Sequence, residues 1–440
     1  MRPYRSAPVL AGCAALVLAL TGTGTAHATA ATHAAAVPGP RDLARQTLPA
    51  GDGWASEGAG TTGGAAAAPE HVYTVTTWAR FKAALAADTG GAPRIIRVVG
   101  TLNATEGGCA SFEADGYDFE RYLADYDPAV WGRDTPVSGP QEELRAASAK
   151  KQAASIKAAV PARTTIVGVG DDAGITGGSL QIQHVDDVIV RNLTLESPLD
   201  CFPQWDPTDG ATGAWNSEYD AMVVYGSTHV WIDHNTFTDG RYPDSSLPHY
   251  YGEVYQQHDG ELDIVRGANH ITASWNVFAD HDKTLMIGNS DSAAATDAGK
   301  LKVTLHHNLF SGVVERAPRV RFGQVDAYNN HHVVRKGQPY AYTFGIGHES
   351  RLHAEKNSFS LPAGVSAARI LKKWKEAPVT AVGNYVNGRP VDLIAVHNAE
   401  IPGETLTPGA GWTPTLRARV DDPRALPGLV TARAGAGRLR

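Results

Sequence analysis

Three aspartates and three cations are the residues of this chain whose types and spacing could do chemistry. Asp220 ends the stretch Trp215-Asn-Ser-Glu-Tyr-Asp220, while Asp259 and Asp263 share His258-Asp259-Gly-Glu-Leu-Asp263. Carboxylates are hard oxygen donors, and three from neighbouring loops suit Ca2+, which accepts irregular geometry and about six to eight oxygens. Taken alone the trio is a weak signal and reads first as solvated turns, because Asp is common in loops. Asp206 to Gly210 is Asp-rich but lacks the spacing of an EF-hand. Lys283 follows in His281-Asp-Lys-Thr, then Arg316 and Arg321 in Glu315-Arg-Ala-Pro-Arg-Val-Arg-Phe. Cations beside a carboxylate cluster are what an anionic sugar polymer bridged by Ca2+ requires. Arg319, between the two arginines, reads either as an ordinary surface charge or as a structural ion-pair partner. No ligand spacing supports zinc.

The elements that must hold these residues show themselves as a repeat. A six-residue pattern ending in Asn returns at Asn192, Asn235, Asn276, Asn308, Asn330, Asn357 and Asn384, with spacings of 43, 41, 32, 22, 27 and 27. An apolar residue stands three positions before each: Ile189, Ile232, Ala273, Leu305, Ala327, Ala354 or Ala381. Phe237, Phe278, Phe310 and Phe359 recur two positions after. A unit of roughly 22 residues with variable insertions is the signature of a solenoid. Short strands ending at Asn predict a parallel β-helix, since Asn tolerates the left-handed turn and its amide can bond the Asn above and below. Stacked Phe then fills the interior, and His306-His307 and His331-His332 read as stacked wall residues. Long loops of the early coils gather on one face as a binding site. Upstream, Val72 to Thr76 reads as a strand, Thr77 caps a helix bearing Trp78, Phe81 and Leu85 that closes one end, and Pro140 to Ala159 is a helical insertion.

Composition sets the compartment and removes several function classes. The chain has 440 residues, with 39 Lys plus Arg against 46 Asp plus Glu and a net charge of -7. No basic excess points to nucleic acid. Arg2 and Arg5 precede an apolar run from Val9 to Leu20 and small residues ending Ala26-His27-Ala28, which reads as a secretory signal peptide over residues 1–28. No later segment is apolar enough to span a membrane. Residues 29–50 read as a mobile Ala, Thr, Pro and Gly-rich leader, and residues 51–440 as one domain. Beyond the signal, Cys109 and Cys201 form an even pair in an oxidising compartment, for which a disulfide is the simplest reading beside two separate thiols.

Over about residues 51 to 440 the sequence resembles the pectate lyases of polysaccharide lyase family 1. The resemblance is carried by Trp205-Asp-Pro-Thr-Asp-Gly, Val230-Trp-Ile-Asp-His, His258-Asp-Gly, Asp280-His-Asp-Lys283 and Arg316-Ala-Pro-Arg-Val-Arg321, with Gly60-Thr-Thr-Gly-Gly64 and Thr164-Thr-Ile-Val-Gly-Val-Gly170 upstream. Asn235 departs from the Cys that many relatives have after Asp-His. The resemblance implies an all-β, right-handed parallel β-helix and a secreted, monomeric enzyme that cleaves polygalacturonate by Ca2+-dependent β-elimination. It implies Asp220, Asp259 and Asp263 as Ca2+ ligands, Arg316 as general base, and Lys283 and Arg321 as binders of substrate carboxylates. Asp233 and His234 are expected to support the coil. For Arg316 to act as a base its pKa must fall, and Ca2+, Lys283 and Arg321 are expected to lower it by like-charge repulsion.

Overall fold

Period-two strands stack in parallel into three walls in the computed structural model, which describes residues 42–439. The front wall is an eight-stranded sheet whose strands lie side by side in chain order: β1 (Lys157–Ala159), β2 (Ser179–Gln183), β3 (Met222–Tyr225), β4 (Leu262–Val265), β5 (Leu285–Ile287), β6 (Arg319–Val320), β7 (Phe344–Ile346) and β8 (Leu371–Lys373). A second wall runs through strands such as Thr228–Asp233, Asn269–Ser274 and Lys302–His306, and a third through Thr236–Thr238, Val277–Ala279 and Leu309–Ser311. This is the expected right-handed parallel β-helix. Each coil visits the front wall, turns into the second, turns again into the third, and returns through a loop to the next front-wall strand.

The recurrent Asn builds the corner between the second and third walls. Asn235 Nδ2 donates to Asn276 Oδ1 at 3.2 Å, and the chain of amides continues through Asn308, Asn330, Asn357 and Asn384 at 2.9 to 3.1 Å. The left-handed residue is the one before each ladder Asn: His234, Trp275, His307, Asn329 and Lys356 have φ of 49 to 54°. That offset corrects the alignment of the first unit. Arg191 pairs with Asp233, so Asn192 matches His234, takes the left-handed φ itself, and donates to Gly168 O and Gly170 O. Leu193 fills the ladder slot, its backbone N–H donating to Asn235 Oδ1.

Inside, Phe237, Phe278 and Phe310 stack with ring centroids 4.9 Å apart, and His332 continues the column to Phe359. Burial holds the His332 imidazole well below its ordinary pKa, so it serves as a neutral flat ring. Thr77 accepts from Arg80 N to start a helix over Trp78–Ala86, which buries Trp78, Phe81 and Leu85 in the same core. The insertion helix spans Pro140–Ile156. Residues 42–50, expected within the mobile leader, are packed instead, because Leu48 and Ala55 cover Ile189 and Trp231 on the outside of the second wall. The structured chain therefore starts before Gly51. The expected signal peptide and the expected leader up to residue 41 lie outside the described residues. No helix among the described residues is long and apolar enough to cross a membrane.

Candidate active site

Each loop from the third wall back to the front wall ends a few residues before the next front strand, and the singled-out residues sit at those junctions. Asp220 precedes β3, Asp259 precedes β4, Lys283 precedes β5 and Arg316 precedes β6, while Asp263 lies on β4 and Arg321 just beyond β6. Parallel neighbours are about 4.8 Å apart. Residues distant in sequence thus become lateral neighbours on one face.

Asp220 and Asp263 converge over Gly260. A Cβ at residue 260 would lie 2.7 Å from Asp220 Oδ1 and 2.9 Å from Asp263 Oδ1, so this position has no room for a side chain. Gly260 N donates to Asp220 Oδ1 at 2.9 Å, and Met286 N to Asp263 Oδ1 at 3.2 Å. Two backbone N–H donors do not offset the crowding of anions. Burial, then Asp263 and Asp259, push Asp220 well above the usual carboxylate range, and burial with Asp259 pushes Asp263 to about 7. Asp259 is more exposed and leans toward Lys283, Oδ1 to Nζ being 3.8 Å. Converging, under-compensated hard oxygens fit Ca2+, which would be held by Asp220, Asp263 and a returning Asp259.

A different trio, Asp239, Asp244 and His258, has donor atoms that all lie within 4.8 Å of one another. Both ring nitrogens of His258 face backbone carbonyls, Nδ1 at 2.9 Å from Pro198 O and Nε2 at 2.7 Å from Tyr242 O. Asp239 is instead the counter-ion of His281, at 2.6 Å. Burial pulls that imidazole down, but Asp239, joined by Glu261 and Asp244, outweighs it and the pKa rises to about 10. His281 Nε2 donates to the Asp259 carbonyl at 2.8 Å, so this buried pair anchors the loop that bears a predicted ligand. A cavity of about 460 Å³ between Lys300, Glu349 and Arg351 includes none of the predicted site residues.

The cations keep company that the sequence did not reveal. Arg316 Nε donates to Glu315 Oε1 at 2.9 Å, and its terminal nitrogens make no hydrogen bond among the described residues. Its pKa moves opposite to expectation. Burial lowers it, yet Glu315, Tyr342 and Asp263 together raise it, because Glu315 points at the guanidinium. Arg321 Nε donates to Asp291 Oδ1 at 2.8 Å, and one terminal nitrogen to Gly288 O at 2.9 Å.

Other supports also escaped the sequence reading. Asp200 is fully buried, its carboxylate accepting from Phe202 N and Glu218 N, while its own N–H donates to Gln257 O and its carbonyl accepts from Gln257 Nε2, joining the loops of Asp220 and Asp259. Cys109 and Cys201 are bridged next to it. Asp233 is held to about 2 despite burial by His234 and Arg191, on the second wall away from the front face. That location agrees with a supporting role.

Comparison with known proteins fits this arrangement. A sequence profile described as pectate lyase matches residues 25–117 and 137–399. A pectate lyase of Bacillus subtilis (strain 168) is 43% identical over 410 residues, covering 90% of this chain and 94% of the relative. Pectate lyase E of Dickeya chrysanthemi is 35% identical, covering 90% and 88%. Among solved structures, a pectate lyase bound to hexasaccharide superposes with a TM-score of 0.85 at 42% identity, covering 91% of this chain and all of that one. A pectate lyase from Acidovorax avenae subsp citrulli gives 0.81 at 34% identity, covering 90% and 96%. On the profile match and these identities, the chain belongs to the pectate lyase family.

Proposed function

We propose that this chain is a secreted, monomeric, Ca2+-dependent pectate lyase that cleaves α-1,4-linked polygalacturonate by β-elimination and leaves 4,5-unsaturated oligogalacturonides. The observation that carries the reading is the convergence of Asp220 and Asp263 over Gly260 on the face that bears Lys283 and Arg316. Ca2+ bound by Asp220, Asp259 and Asp263 would supply the positive charge that neutralises a uronate carboxylate and makes the adjacent C5 proton removable. Arg316 is the base for that proton, its free terminal nitrogens being available once Glu315 has taken Nε. Lys283 and Arg321 bind substrate carboxylates by charge-assisted hydrogen bonds. With Arg316 in its neutral form, the C5 proton passes to it, the C5–H electron pair forms the C4–C5 double bond, the C4–O bond breaks, and the C4 oxygen leaves with the rest of the chain and takes a proton from solvent. A disulfide between Cys109 and Cys201 suits an oxidising compartment, which supports secretion.

The test is ultraviolet absorbance of unsaturated uronide released from polygalacturonate. Activity should vanish with a chelator and return with Ca2+. Full activity on highly esterified pectin in chelator would favour a pectin lyase, and reducing ends released without absorbance would favour a hydrolase. Size-exclusion chromatography with light scattering checks the monomer.

A further inference from the structure

We propose that Arg319 and Trp374 form a distal subsite for one galacturonate unit of the polymer, the guanidinium against its carboxylate and the indole against its ring. This rests on the polyuronide reading above. Arg319 shares a row with the predicted ligand Asp263, since the register runs Asp263, Met286, Arg319, Gly345, Lys372 across β4 to β8. Four strand spacings separate the ends of that row, about 19 Å. The Arg319 backbone stands two of those spacings from Asp263, about 10 Å, and its guanidinium reaches on to Trp374 just beyond β8, so the subsite lies beyond the sugar at the predicted Ca2+.

Arg319 is neither of the two things its sequence position suggested. Its neighbours Arg316 and Arg321 each hold a carboxylate, Glu315 and Asp291. Arg319 makes no ion pair among the described residues, and its Nε is buried without a hydrogen-bond partner. The guanidinium reaches across β7 and lies 4.1 Å from the centre of the Trp374 ring. It can do so because β7 offers glycine there: a Cβ at Gly345 would meet Arg319 Cγ at 3.0 Å. Trp374 is 40% exposed, among the few large apolar side chains left open to solvent. Tyr342 holds it edge-on at 6.1 Å, and Lys372 Nζ lies 5.6 Å from the same ring. A guanidinium with unused donors binds a carboxylate as a fork, and a pre-positioned indole adds stacking area at little entropic cost. Burial and the neighbouring Arg321 lower the Arg319 pKa, the response of a cation that lacks its anion.

The experiment measures KM and kcat of the full chain with Ca2+ on galacturonate oligomers from trimer to octamer, for wild type, Arg319→Gln, Arg319→Lys, Trp374→Ala and Trp374→Phe. Arg319→Gln and Trp374→Ala should raise octamer KM about five- to tenfold, the loss of about one good contact. The rise should shrink with chain length toward the trimer, which cannot span from Asp263 to β8. Arg319→Lys and Trp374→Phe should recover part of it. A KM rise equal for trimer and octamer, or no rise for either residue, overturns the subsite. Octamer binding by calorimetry is read in parallel, so that an inactive wild type, which sinks the lyase reading, still tests the subsite. There, binding weakened about fivefold in Arg319→Gln supports it and equal binding refutes it.

Discussion

Gly260→Ala separates the Ca2+ site from the fold that carries it. Gly260 has no left-handed backbone, so alanine brings no strain of its own there; the added methyl instead meets Asp220 Oδ1 at 2.7 Å and Asp263 Oδ1 at 2.9 Å. Both distances are well inside van der Waals contact, so something must move, and the atoms met are the ends of rotatable carboxylates. Without Ca2+ the rotation is mild: it relieves repulsion between anions already pushed up in pKa, at the loss of the Gly260 N to Asp220 bond, net about 1 kcal/mol. With Ca2+ the same rotation removes donors from the position the ion needs. Disturbing the support of a metal ligand typically weakens binding about 10- to 100-fold, or about 1.4 to 2.8 kcal/mol. Calorimetric Ca2+ titration and thermal unfolding in chelator read the two effects apart. Affinity should fall by at least about tenfold while the chelator Tm moves by only a few degrees. Unchanged affinity with a lowered Tm would mean that the two carboxylates converge for packing and not for a cation.

The carboxylate cluster also sets a pH dependence. Because the folded pKa of Asp263 is raised from 3.8 to about 7, the stability gained from its proton is complete below about 4 and is lost as pH climbs through about 7; the folded carboxyl still holds its proton at pH 5, so Ca2+ should add little to Tm there and progressively more from pH 6 to 8. Arg316→Lys keeps a positive charge but misplaces the base, and should cut kcat by at least about a hundredfold with a smaller change in KM; near-normal kcat would reduce Arg316 to a carboxylate binder. Phe278→Ala empties the middle of a stack with neighbours at 4.9 Å on both sides and should cost about 3 to 5 kcal/mol in denaturant unfolding, without altering Ca2+ affinity.

What was legible in the sequence is what repeats or what is held by short-range motif. Six Asn units were placed in their true register because ladder Asn and inward Phe report the same coil from two positions. Asn192 misled by one residue, since Asn is suited to both the left-handed corner and the amide ladder next to it. The packed stretch around Leu48 was hidden by composition: an Ala and Gly-rich flank looks mobile until a complementary apolar strip, Ile189 and Trp231, is known to be uncovered. The three aspartates, Lys283, Arg316 and Arg321 could be singled out because each sits in a compact motif at a loop-to-strand junction.

Partnerships across coils could not be read, and they are what tune the site. Nothing in the sequence says that Glu315 rather than Arg321 would set the field at Arg316, since that depends on the direction a side chain leaves a junction. The same holds for Asp239 and His281, which sit on different coils yet fix the Asp259 carbonyl, and for Arg319 and Trp374, joined across a strand that presents glycine. A parallel β-helix converts coil length into lateral adjacency. Each insertion changes which sequence distance becomes one strand spacing, while the spacing itself stays fixed by the backbone ladder. Chemistry at the junctions can therefore be kept in place while the loops that feed them vary. For Arg316 the neighbours in the protein alone favour the proton, Glu315 first among them; if Arg316 is the base, the positive charge opposing that proton would have to arrive with the cation that the carboxylates bind.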